Sequence, residues 1–233
     1  MKGKIYGIGV GIGDPEDITL KAIKRIKESD VIVCPRKDLE KCRAYSIVKQ
    51  AVPEIENIEK RFLEFEMTRD EEKKYQNHRR IYETVKELVL EGKTVSFLTI
   101  GDPAVYSTFS YIAELAYKDG IKVCCVSGVS SITACANRLG KSLVDSNEQL
   151  HVIPQTDDIE DALNLPGTKV IMKSGKDLSS IKELLRKKQG ISVFAVSECG
   201  TAEEKCYFSV NDIPDDGKYM ITIIVKENNK DVV

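Results

Sequence analysis

Two acidic turns carry the most legible chemistry in this sequence. Asp14 and Asp102 each stand in a Gly-Asp-Pro tripeptide, Gly13-Asp14-Pro15 and Gly101-Asp102-Pro103, and each tripeptide follows an apolar, β-branched run that reads as a strand. In open α/β sheets ligands bind outside the carboxyl ends of strands, so two such turns can floor one site; plain strand-to-helix connections have the same spacing. A carboxylate placed there accepts hydrogen bonds from ribose hydroxyls or an amine and attracts a sulfonium or ammonium, but suits phosphate poorly. Gly128-Val129-Ser130-Ser131 adds amides and hydroxyls at a helix start, which can hold a carboxylate or simply cap the helix.

Several other chemistries fail on spacing. The series Gly7, Gly9, Gly11, Gly13 invites a dinucleotide fingerprint, yet the last required glycine is Ile12 counted from Gly7 and Asp14 counted from Gly9. Gly140-Lys141-Ser142 resembles the end of a phosphate loop, but Cys135 stands where the earlier glycine belongs. No G-x-S-x-G elbow is present. His78, between a tyrosine-bearing face and Arg79-Arg80, reads as a solvated mid-helix residue, and His151 as the start of a strand. The 7 cysteines form no C-x-x-C pair and read as buried reduced thiols, with no metal cluster. Acid-base and nucleophilic machinery is thin, which favours a reaction whose cofactor carries the reactivity.

The elements that must position these turns alternate strand with helix. Strands are predicted over 4–11, 31–35, 94–103, 121–128, 169–175, 191–199, 203–210 and 218–227; helices are predicted after Thr19 (face Leu20, Ile23, Ile26), over 68–91, over 105–120, from Ser130 and over 177–188. The 68–91 helix shows a capping box of Thr68 and Glu71 with Met67 before it, a face of Tyr75, Tyr82, Val85 and Val89, and Gly92 at its end. The pattern is that of an α/β protein with two α/β domains, 1–119 and 120–233. With 35 basic against 37 acidic residues the net charge is -2, which argues against nucleic acid or an anionic membrane as partner. No apolar run reaches the roughly 18 residues of a membrane span. The glycine-broken N-terminus does not read as a leader, so a cytoplasmic protein is expected.

Five segments in order, GIGVGIGDPEDITLKAI (7–23), LTIGDPAVYSTFSYI (98–112), SGVSSITACANRLG (127–140), VIMKSG (170–175) and ECGTAEEK (198–205), resemble the motif series of the tetrapyrrole (corrin/porphyrin) methylases. The run GDPAVYSTFSYI and the chain length most resemble the branch that methylates C20 of precorrin-2 or cobalt-factor II in cobalamin synthesis. Ile12 and Ser127 depart from the family pattern, each standing where proline is usual, which changes turn stiffness more than chemistry.

The resemblance implies a class III methyltransferase fold with a cofactor cleft between two α/β domains, a homodimer, S-adenosylmethionine as donor and S-adenosylhomocysteine as product. It implies Ile100, Gly101, Asp102, Ser130, Ser131, Met172, Thr201 and Ile221 at the cofactor, and Asp14 and Pro15 at the substrate trough. Tyr106 is the candidate to orient the ring. A carboxylate-rich substrate makes Arg36, Lys37, Arg138 and Lys173, basic residues at strand ends, candidate clamps. Methylation of uroporphyrinogen III or a later precorrin, or a non-catalytic tetrapyrrole carrier, are the competing expectations.

Overall fold

The computed structural model describes residues 3–66, 68, 70–154, 159–173, 177–215 and 220–228. The chain divides into two compact units, Met1–Ser130 and Ser131–Val233. The first unit therefore runs past the expected boundary at 119/120. Its last strand hydrogen-bonds to its first, pairing Ile5 with Val123 and Ile8 with Val126, so 120–130 cannot belong elsewhere.

The first unit is built on a five-stranded parallel sheet. Its strands are β1 (Lys4–Gly9), β2 (Val31–Cys34), β3 (Glu59–Phe62), β4 (Thr94–Thr99) and β5 (Val123–Val126), in the order β3-β2-β4-β1-β5. A parallel sheet needs helices on both faces, and the alternation of side chains along β1 meets that need. Tyr6 and Ile8 pack with Ile32, Leu98 and the inner faces of α1 (Leu20–Lys27) and α2 (Arg43–Ala51). Ile5 packs on the other face with Val31, Val95, Phe97, α3 (Glu71–Leu90) and α4 (Phe109–Lys118). Between them Gly7 leaves room for an aromatic ring: a Cβ there would stand 2.2 Å from Phe109 Cε1.

Several expectations are corrected in detail. The 68–91 helix is capped by Asp70, whose Oδ1 accepts from the amides of Glu72 and Lys73, both at 3.1 Å, rather than by Thr68; a carboxylate also complements the positive helix end. Met67 lies outside the described residues. Tyr75 and Leu20 turn out to solvent, because the buried stripes run through His78, Ile81, Val85 and Leu88 in α3 and through Ala22 and Ile26 in α1. The 105–120 helix begins only at Phe109, leaving Tyr106, Ser107 and Thr108 in the preceding turn. Cys125 is exposed and Cys124 half-buried, since β5 is an edge strand; Cys206 is half-buried too. α2 and β3 were not anticipated. β3 reads Glu-Lys-Arg-Phe, a charged sequence suited to a sheet edge and not to a core strand.

The second unit carries a mixed sheet of β6 (Leu150–Pro154), β7 (Thr168–Met172), β8 (Ile191–Ser197), β9 (Lys205–Tyr207) and β10 (Ile221–Glu227), ordered β6-β7-β10-β8-β9. Only β6 and β7 run parallel. Helices α5 (Ser131–Arg138), α6 (Ile159–Leu163) and α7 (Leu178–Lys187) complete it, and α6 and α7 share a core with Ile153, Ile171, Ala195 and Ile223. Lys169, 0% exposed, is paired with Glu227 at 2.8 Å, which offsets the cost of burying it. No helix of the described residues is long and apolar enough to cross a membrane.

His78 is the sharpest correction. It is 6% exposed, its ring stacked on Tyr111 at 4.3 Å and tilted against Phe65 at 5.3 Å. Burial, and then the Lys74 charge, push its pKa below the ordinary 6.5, with Glu71 opposing. The unfolded chain then binds the proton more readily, so His78 costs nothing above pH 6.5 and lowers stability as pH falls from there through the folded pKa. His78→Phe should make the melting temperature less sensitive to pH in that window. A melting curve series with the wild-type pH dependence would refute the burial effect.

Candidate active site at the carboxyl edge of the first sheet

β1 and β4 are neighbours, yet α1 follows β1 onto one face and α4 follows β4 onto the other. The carboxyl ends of two such strands are the usual ligand position in sheets of this kind. The loops that leave these strands are tied together. The Val10 amide donates to the Thr99 carbonyl at 3.0 Å and the Gly101 amide to the Gly11 carbonyl at 2.7 Å. Gly11 and Gly101 both adopt left-handed φ, 75° and 74°, which costs a residue with a Cβ strain.

Three loops then meet where no side chain fits. A Cβ on Gly9 would lie 2.5 Å from the Gly101 carbonyl oxygen and 2.6 Å from the Gly128 nitrogen, and one on Gly128 would lie 2.3 Å from that same oxygen. Asp102 fastens the junction: Oδ1 accepts from the Ala104 amide at 2.8 Å and Oδ2 from the Gly128 amide at 3.1 Å. A carboxylate offers about four acceptor positions, so these two bonds leave capacity for a ligand's donors. Its charge is felt nearby, since burial and then Asp102 push the Cys125 thiol pKa up. A Cβ on Gly101 would meet only Ile12 Cγ2, at 3.9 Å, so space lies open beside it.

Most of the first unit's expected site residues share this edge. Ile100 packs half-buried on the core below, and Ser130 closes the loop that Gly128 begins. Asp14 serves locally as a cap, accepting from the Glu16 amide at 2.9 Å with Pro15 at the first helical position of a short turn. Tyr106 holds φ at 46° and is 46% exposed, a strained backbone that presents its phenol outward. Arg36 and Lys37 stand exposed in the loop after β2; Lys37 pairs with Glu64 at 2.9 Å, which holds its ammonium pKa up. Two contributors escaped the sequence reading. Arg43 donates to the Ile12 carbonyl at 3.2 Å, and Ser107 joins the Thr99 hydroxyl at 2.9 Å. Arg43 gave no signal because its helix gave none, whereas Ser107 sat inside the quoted motif.

In the second unit the β7-β10-β8 register brings Met172 opposite Thr222 and Ile221 opposite Ser197, so both expected residues lie at one end of that sheet. Thr201 follows β8 there, its amide and hydroxyl donating to the Glu198 carbonyl at 3.1 and 2.7 Å. Lys173 and Glu198, the residues just after β7 and β8, both take left-handed φ, 59° and 50°. Burial pushes the Lys173 ammonium pKa down. Ser131 opens α5 and Arg138 ends it, the guanidinium Nε 3.4 Å from Glu204. Among the described residues no group of three or more His, Cys, Asp or Glu is placed to hold a metal ion.

The family model of the Tetrapyrrole (Corrin/Porphyrin) Methylases matches residues 4–213. The chain belongs to the tetrapyrrole methylases. Among relatives in that family, the "Probable cobalt-precorrin-2 C(20)-methyltransferase" of Methanocaldococcus jannaschii is 38% identical over 206 residues, 87% of this chain and 85% of its own. The precorrin-2 C(20)-methyltransferase of a Sinorhizobium species is 25% identical over 98% of this chain and 97% of its own. The fold is that of a solved cobalt precorrin-4 methyltransferase (TM-score 0.76, 20% identity, covering 96% of this chain and 94% of that one). It is shared with the Thermus thermophilus uroporphyrin-III C-methyl transferase complexed with S-adenyl homocysteine (TM-score 0.69, 20% identity, 97% and 98%).

The glycine junction of this tetrapyrrole methylase separates two kinds of substitution. Gly9→Ala and Gly128→Ala drive a Cβ into backbone and should each cost about 1 to 3 kcal/mol by overpacking. Gly101→Ala meets only the left-handed penalty, about 1 to 2 kcal/mol. Urea unfolding should rank Gly101→Ala as the mildest; finding it the most harmful would mean that the junction is looser than drawn.

Proposed function

We propose that this protein transfers a methyl group from S-adenosylmethionine to C20 of precorrin-2, or of its cobalt-containing form, in cobalamin synthesis. The observation that carries the reading is Asp102: a carboxylate at the switch point of the sheet, held by two amides, with acceptor capacity left and open space beside Gly101. That acceptor fits a ligand with ribose hydroxyls, an ammonium and a sulfonium, and it repels phosphate. When bound, S-adenosylmethionine supplies an electrophilic methyl on a positively charged sulfur.

This chain's residues do the holding. Asp102 takes hydroxyl or amine donors, the hydroxyls of Ser130 and Ser131 serve a carboxylate, and Ile100 offers apolar surface that sheds water; Met172 and Ile221, 8% and 2% exposed, are the less accessible members of the set. Thr201 adds a hydroxyl fixed on its own loop. An electron-rich ring carbon needs little activation, so orientation is the main contribution, worth about 7 to 11 kcal/mol when donor and acceptor are aligned. Tyr106, exposed and conformationally fixed, is suited to orient the ring face. Asp14 and Pro15 shape the neighbouring turn. Arg36, Lys37, Arg138 and Lys173 serve as cationic contacts for the substrate's carboxylates. Lys37 and Arg138 face Glu64 and Glu204 at 2.9 and 3.4 Å, so a substrate carboxylate would compete with those partners. The reading includes a cytoplasmic homodimer, which light scattering on the purified chain tests.

Incubation with S-adenosylmethionine and either precorrin-2 or cobalt-factor II should place the new methyl at C20 by carbon NMR. Transfer to another carbon moves the protein to another branch of the family. Asp102→Asn should weaken S-adenosylhomocysteine binding in calorimetry by about 1.5 to 3 kcal/mol, roughly tenfold to a hundredfold in Kd. Tight binding that survives the substitution would remove Asp102 from the cofactor site, and a wild-type protein that fails to bind S-adenosylhomocysteine would point instead to a carrier. Arg36→Glu should raise the tetrapyrrole KM while leaving S-adenosylhomocysteine affinity alone, and an unchanged KM removes Arg36 from the clamp.

A further inference from the structure

We propose that Thr99 and Ser107 are positioning residues for methyl transfer: the hydrogen bond between their hydroxyls anchors the turn that carries Tyr106. This role rests on the methyl-transfer reading above and says what holds its ring-orienting residue in place. Tyr106 needs an anchor. It keeps a left-handed φ of 46° although it is not glycine, and a residue with a Cβ stays in that conformation only where its surroundings over-determine it.

The turn is bonded at both ends. At its start Asp102 accepts from two amides of the turn, from Ala104 through Oδ1 at 2.8 Å and from Val105 through its carbonyl at 3.1 Å. At its end the Ser107 carbonyl accepts from the Ser110 amide at 3.2 Å and the Ser110 hydroxyl at 2.8 Å, while Ser107 Oγ accepts from the Phe109 amide at 3.2 Å. Thr108, at the cap position of α4, makes no side-chain cap bond, so the serine before it supplies one. These bonds lie within the turn and the helix start, so they shape the segment without fixing its far end to the sheet. The bond between Thr99 Oγ1 and Ser107 Oγ, at 2.9 Å, does that.

Thr99 is well placed for the task. It is the last residue of β4 and only 8% exposed, its carbonyl accepts from the Val10 amide at 3.0 Å, and its hydroxyl reaches Ser107. One residue therefore joins the glycine junction to the Tyr106 turn. A hydroxyl pair out of water is directional and costs free energy when one partner is deleted, so the far end of the turn depends on it. Asp102 and Tyr106 belong to the same turn. A slack far end would let the acceptor ring drift relative to the donor methyl while the carboxylate of Asp102 kept its place, and alignment is the main contribution this chain makes to the reaction.

The test compares Thr99→Val and Ser107→Ala, which delete the bond, with Thr99→Ser, which keeps it, in the full-length protein. Amide hydrogen exchange reads the anchor without substrate: peptides covering 102–109 should exchange about tenfold faster in both deletion variants and near the wild-type rate in Thr99→Ser, with 94–98 unchanged. Steady-state methylation of precorrin-2 or cobalt-factor II reads the function. There kcat should fall about tenfold in Thr99→Val and recover in Thr99→Ser, while the S-adenosylhomocysteine Kd moves by less than about twofold. Ser107→Ala also removes the Phe109 cap; if it does not fold, Thr99→Val, which leaves that cap in place, decides alone. Unchanged exchange in Thr99→Val overturns the anchor. Faster exchange with unchanged kcat, or a kcat loss matched by an equal loss of S-adenosylhomocysteine affinity, overturns the positioning role. A wild-type protein that methylates neither tetrapyrrole fails at the methyl-transfer reading itself, before any variant is compared, and takes the positioning role with it.

Discussion

Everything at the candidate site depends on how closely three backbones approach one another at Gly9, Gly101 and Gly128. Side chains at two of these positions would overlap neighbouring main chain by an ångström or more, so the loops can touch only because the sequence leaves Cβ out. That contact lets one carboxylate, Asp102, reach an amide in its own turn and another in the loop after β5. It also explains why β4 inserts between β2 and β1, since the hydrogen bonds between the 10–11 and 99–101 segments require those strands to be adjacent.

Much of the first unit was legible in the residues themselves. β1, β4 and β5 are apolar runs ended by glycine, and a parallel sheet covered on both faces needs that composition. The Gly-Asp-Pro turns were legible too, because proline and glycine restrict the backbone locally. Other features were not readable because they depend on distant partners. Nothing near His78 in the sequence reveals that Tyr111 and Phe65 will close over it. The end of the first unit was misplaced because strand pairing with β1, and not any local signal, decides where 120–130 belongs. α2 was missed since a short helix capped without a side-chain hydrogen bond lacks a start signal.

A chain of almost balanced charge can still serve an anionic ligand if its cations are few and placed on loops. The second unit shows how buried charge is otherwise handled. Lys169 and Lys182 are consumed by Glu227 and by the Ile213 carbonyl and Asp215 within the fold, so they are not offered to solvent. Arg36 and Lys37, in the loop after β2, are of another kind, exposed on a turn that the sheet positions without enclosing.

The strand order has a temporal side. Within the first unit β1 is made before the other strands, yet its two neighbours are β4 and β5, so Lys4 waits for Thr94 and Ile5 for Val123. Contacts of such separation form slowly, and until they form the apolar β1 has no edge to join. The glycine junction is therefore among the last features of the first unit that a nascent chain can complete, and it cannot form until Gly128 has left the ribosome.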